Sequence, residues 1–108
     1  MRAQVELAAR KLRRYVARKA ADLDGQLDSV CLLTWDIAHH GRAGKNGYAK
    51  KVQPALAAAD PEAALLTIGA DAWSGRIATL RREIDRLKGA GVLGVRRYDR
   101  ASGDLVPA

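Results

Sequence analysis

Phenylalanine is absent from this chain of 108 residues, and its aromatic residues are two tryptophans and three tyrosines. Much of the apolar fraction is alanine, which buries little area, so a core has to rest on Leu, Ile and Val with Trp35, Trp73 and the tyrosines. Cysteine occurs once, at Cys31. A single cysteine excludes an intramolecular disulfide and a zinc site built from several thiolates, and its plain reading is a small buried apolar side chain. No run approaches the ~18 uninterrupted apolar residues of a membrane-spanning helix, and no charged–apolar–cleavage pattern marks secretion. The expectation is a cytoplasmic protein with no membrane partner.

Catalytic constellations are missing too. There is no Ser/His/Asp arrangement, no pair of carboxylates in an apolar setting and no metal-ligand spacing. Gly44-Lys45 lacks the earlier glycine and the following Ser/Thr of a phosphate loop, with His39 and Asn46 at those places. Asp36, His40 and Cys31 are too few to hold a metal without a second cluster. His39 and His40 read instead as a helix-end pair beside the C-terminal dipole. No catalytic residue, cofactor or metal ligand is assigned.

Positive charge is what the chain has in excess: 19 Lys/Arg against 12 Asp/Glu, a formal charge of +7. Such an excess favours polyanionic partners, nucleic acid first. The charges come in blocks. Residues 1–19 hold seven Lys/Arg against Glu6 alone, residues 20–40 hold four acids and no Lys/Arg, and residues 76–100 hold eight Lys/Arg against three acids.

The length implies one domain with a modest core. Residues 1–24 read as a long basic amphipathic helix, with Val5, Leu12, Tyr15, Val16 and Leu23 on its apolar stripe and Arg2, Arg10, Arg13, Arg14 and Arg18 outside. That helix suits packing or dimerisation, a nucleic-acid backbone contact, or a membrane surface. Residues 29–72 form a helical core. Its first helix, 29–40, is capped by Asp28 or Ser29 and apolar on most sides, hence central. Residues 41–47 read as a flexible, basic loop. A short helix comes next over 48–59, and Asp60-Pro61-Glu62 starts another that ends near Gly69. Trp73 reads as a core anchor.

Residues 74–107 organise the C-terminal part. Ile77, Leu80, Ile84 and Leu87 share one helical stripe, with Arg82 and Arg86 opposite and an Arg81–Asp85 surface pair at i,i+4. Gly89 and Gly91 stop the helix. Val92, Leu93, Val95 and Tyr98 read as a strand, Asp99–Gly103 as a turn, and Leu105-Val106 as a returning strand that ends at Pro107.

The run Thr79–Leu87, then Ala90-Gly91-Val92-Leu93, then Arg96-Arg97-Tyr98-Asp99, resembles the recognition helix and wing of winged helix-turn-helix regulators, and is most similar to MarR-type proteins. The resemblance implies a mainly α fold with a C-terminal β-hairpin wing, and a DNA-binding homodimer built by its terminal helices. On the residues themselves, Arg82 and Arg86 face a major groove with Thr79 beside them, since arginine can pair two donors with guanine. Arg76 and Arg81 lie at the edges of that face and suit phosphates. Arg96, Arg97 and Arg100 extend the contact from the hairpin. The expected function is double-stranded DNA binding in transcriptional regulation, or in plasmid or phage replication or partition. A helical adaptor whose basic blocks meet an acidic protein is the alternative.

Overall fold

The computed structural model describes residues 11–108. Residues 1–10 of the helix expected over 1–24 lie outside the described residues. From residue 11 onward the chain is mainly helical and ends in a small two-stranded antiparallel hairpin.

The basic helix is not continuous to residue 24. A first helix, α1 (11–18), gives way at Lys19 (φ −109°, ψ 22°) to a short α2 (Ala20–Leu23). A residue distant in sequence packs at the break. The Lys19 ammonium sits 4.0 Å from the centre of the Tyr48 ring, and the Tyr48 hydroxyl donates to Asp22 at 2.7 Å. The break residue Lys19 and Asp22 of α2 are thereby held to one tyrosine.

The central helix α3 (Asp28–His40) buries Val30, Cys31, Leu33, Thr34 and Ile37, as its pattern implied. Its cap differs from the expectation. Leu27 occupies the N-cap, and Asp28 lies inside the first turn. The Asp28 carboxylate is buried and accepts hydrogen bonds from the amides of Ser29 and Gly94, both at 2.7 Å, and of Arg96 at 3.2 Å. It holds the foot of the hairpin as well as one amide in the first turn of its own helix.

After α3 the chain turns through residues 41–47. This connector is not simply a flexible basic loop, because Arg42 within it is buried. A π-helical turn (Tyr48–Val52) then runs into α4 (Gln53–Leu56). Pro54 has no N–H to return to residue 50, and the Gln53 amide instead reaches the Tyr48 carbonyl five residues back. Asp60 caps α5 (Pro61–Thr67) by accepting from the Ala63 amide at 3.2 Å. Gly69 (φ +76°) comes after it, and a β-carbon there would stand 2.9 Å from the Arg42 carbonyl, so the turn needs glycine twice over.

The last helix, α6 (Ser74–Gly89), buries Ile77, Leu80 and Ile84 and stops at Ala90-Gly91. Strand β1 (Arg96–Asp99) pairs antiparallel with β2 (Asp104–Pro107) in the register Arg97↔Val106 and Tyr98↔Leu105. The strand is shorter than its alternation suggests. Residues 92–95 bend instead of extending, because the amides of 94 and 96 converge on the Asp28 carboxylate. A third rung lies outside the hairpin. Leu27 bridges to Arg97, the Gly25 amide donates to the Tyr98 carbonyl at 2.8 Å, and the Tyr98 amide donates to the Gln26 carbonyl at 2.9 Å.

The core joins Val16 and Leu23 to Leu33 and Ile37 of α3, Leu65 and Leu66 of α5, the α6 stripe, and Tyr98 from the hairpin. Trp35 and Trp73 are both only half-buried. The core therefore rests on aliphatic side chains and on Tyr15 and Tyr98, each large aliphatic contributing roughly 1.5–3 kcal/mol when fully buried. Among the described residues no helix is long and apolar enough to cross a membrane.

Candidate nucleic-acid interface

The outward side of α6 is set by helical phase. With Ile77, Leu80 and Ile84 held in the core, Ala78, Thr79, Arg81, Arg82, Asp85 and Arg86 are turned to solvent. The eight basic or hydroxyl residues singled out in the sequence then divide into three groups.

Arg76 is the exception among them. Its guanidinium is held by the Asp36 carboxylate of α3, which also lies 3.2 Å from the buried Arg42 guanidinium and 3.5 Å from the His40 imidazole. Arg42 in turn donates to the Ile68 carbonyl at 3.1 Å. Burial pushes the Arg42 guanidinium below its ordinary pKa, while the Asp36 charge opposes that shift. Asp36 is thus one buried anion serving two arginines from different elements. Arg76 acts through it to seat the N-terminal half of α6 on α3, rather than presenting an unpaired charge at the edge of the face.

Three residues keep an outward position but have hydrogen-bond partners within the chain. Thr79 donates its hydroxyl back to the Gly75 carbonyl at 3.0 Å. Arg86 makes a forked pair with Glu83 at 2.7 and 3.2 Å, so the surface pair on this helix is i,i+3 and not Arg81–Asp85. That contact lowers the Glu83 pKa and raises that of Arg86, the hydrogen bond being the main cause in each. Arg97 donates to the Gly25 carbonyl at 2.9 Å, bracing the third rung.

The remaining four are Arg81, Arg82, Arg96 and Arg100. All are exposed, and among the described residues none of them pairs with an acid. Two stand on α6 and two on the hairpin. The elements are joined at the α6 C-terminus, where the amides of Val92 and Leu93 both donate to the Leu87 carbonyl at 2.9 and 3.2 Å. Backbone hydrogen bonds fix the hairpin from the other side. The Asp24 carboxylate accepts the Arg100 amide at 3.0 Å, and Asp28 accepts the Arg96 amide. The hairpin arginines are thus mounted on braced backbone, with their side chains left to solvent.

Lys88 does not join this set, since it pairs with Glu62 of α5 at 2.6 Å. Cys31 is buried, and desolvation raises its thiol to about 12, with the neighbouring Asp28 charge adding to the shift. It is unsuited to thiolate chemistry at neutral pH.

The sequence reading missed the two buried carboxylates. Their signal was present as a segment, residues 20–40, with four acids and no Lys/Arg. Compared with family models, with curated proteins and with solved structures, the chain finds no match.

Proposed function

We propose that this protein binds double-stranded DNA, with α6 as a recognition helix and the β1–β2 hairpin as a wing. The observation that carries the reading is the set of four exposed arginines whose side chains have no hydrogen-bond or ion-pair partner among the described residues, two on α6 and two on the hairpin attached to its end. Arg82 and Arg86 on the outer face suit base edges in a major groove. Arg81, Arg96 and Arg100 suit phosphates, which supply most of the affinity. The third rung at Leu27 supports the winged arrangement, since it ties the hairpin to the chain ahead of α3. Regulation of transcription is the most direct role for such a surface.

A homodimer would double the face and read two half-sites ~34 Å apart. Residues 11–18 lend it little, because their outward side, Lys11, Arg13, Arg14 and Arg18, is charged. Stoichiometry on DNA reports it directly.

The test is a titration of labelled duplex by fluorescence anisotropy, using the parent chain and R82A/R100A. Tight binding by the parent that weakens at least tenfold in the variant supports the reading. No binding at low salt sinks it, and an adaptor for an acidic protein takes its place.

A further inference from the structure

A second surface lies away from the outward face of α6. Between α1 and α3 runs a groove of about 640 Å³ whose lining includes Lys11, Arg14 and Arg18 from one helix and Trp35 and His39 from the other. The three cations fall at spacings of three and four, so they form one stripe along α1. Among the described residues, no acid lines the groove. Arg18 is steadied by the Tyr15 ring, 5.9 Å from its guanidinium carbon. Opposite, the rings of Trp35 and His39 are stacked at 5.0 Å with planes 17° apart.

Neither part serves the core. His39 is exposed and Trp35 half-buried, whereas the core side of α3 is Val30, Leu33 and Ile37. A cationic stripe without an acidic partner among the described residues, facing a stacked aromatic pair, has the charge and the flat apolar surface that an unpaired nucleotide complements. A purely acidic peptide would satisfy the cations and leave the rings without a partner. The rings also continue toward α6. His39 meets His40 edge-on at 5.0 Å, and His40 lies 5.8 Å from Trp73, the N-cap of α6.

We propose that the α1–α3 groove binds single-stranded nucleic acid, one base extending the Trp35–His39 stack and its phosphates lying on Arg14 and Arg18. This site does not depend on the duplex reading. A strand opened beside a duplex bound at α6 would meet it by way of the His40–Trp73 rings.

The full chain carrying W73F, which leaves Trp35 as its single tryptophan, is titrated with dT12 and with rU12 while tryptophan emission is followed. Quenching of Trp35 is expected, with affinity reduced on the order of tenfold by R14A/R18A. W35L, followed by anisotropy of the labelled strand, should lose a similar factor, and W35F should recover part of it. Because Arg14 and Arg18 are exposed, their removal tests the site even if W35L fails to fold. The ratio of dT12 to rU12 affinity separates DNA from RNA as the source. R81A/R82A should leave single-strand binding unchanged while weakening duplex binding, so the two proposals fail separately. Absence of quenching, indifference to R14A/R18A, or equal quenching by polyglutamate overturns the proposal.

Discussion

The four acids of residues 20–40 and the eight basic residues of 76–100 meet opposite fates. Every one of those acids is engaged across the fold: Asp22 by Tyr48, Asp24 by the Arg100 amide, Asp28 by the amides of 94 and 96, and Asp36 by Arg42 and Arg76. Of the eight basic residues, only Arg76, Arg86 and Lys88 pair with an acid among the described residues. The acidic segment holds the molecule together, and the basic segment is largely surface. Net charge alone says nothing of this division. For Asp28 and Asp36 it arises because a buried carboxylate must be paired or hydrogen-bonded, whereas an exposed arginine is already solvated.

Breaking the acidic side should have the largest effect. D36A leaves the Arg42 guanidinium buried with no counter-ion and frees α6 from α3, and should cost on the order of 3–5 kcal/mol in urea denaturation. A loss below ~1 kcal/mol would mean that Arg42 finds water or another acceptor. D28A is expected to cost ~2 kcal/mol through its charge-assisted hydrogen bonds. Its readout is faster amide exchange at residues 94–98, where D36A should act chiefly on α6.

A smaller effect concerns pH. The Cys31 thiol is raised from 9.0 to about 12 in the folded chain. A raised pKa contributes stability that is complete below 9.0, where the unfolded thiol is protonated, and is lost as pH climbs toward 12. Melting temperature should therefore fall over that window, and less steeply in C31A. Burial also raises Tyr15 and Tyr48, so part of the alkaline loss persists in the variant. An identical slope in both proteins would deny the thiol its buried setting.

The smallest stability effect belongs to the exposed Glu83–Arg86 pair. E83A should leave the melting temperature unmoved, since surface ion pairs contribute little. Freed from its partner, Arg86 should raise duplex affinity. A stability loss without a gain in affinity would put Glu83 among the structural acids.

Much of the architecture was legible in the sequence because it is local. The α6 stripe, the Asp60-Pro61 start of α5, the glycine stop at 91 and the turn before β2 each depend on neighbours within a few residues. What escaped was set by distant partners. Asp28 meets Gly94 across 66 residues, and Arg76 meets Asp36 across 40. The strand expected over 92–95 failed for the same reason, as period-2 alternation carries no sign of a buried carboxylate that gathers the amides. Trp35 was legible but weighed by size rather than phase. It lies two residues from both Leu33 and Ile37, which places it away from their stripe. Within the candidate interface, the arginines of α6 and the hairpin could be named from sequence. Which of them keep a free charge could not.

The central claim is that the arginines of α6 and the hairpin left without partners among the described residues meet DNA, Arg82 at base edges and Arg81, Arg96 and Arg100 at phosphates. It is tested most directly by the salt dependence of duplex binding, comparing the parent with R81A/R82A/R96A/R100A. Each lost phosphate contact should reduce the slope of log K against log salt by about 0.9. The prediction is weaker binding and a slope shallower by two to three such steps, with an unchanged melting temperature. A variant that binds duplex with the parent's affinity and slope would contradict the account.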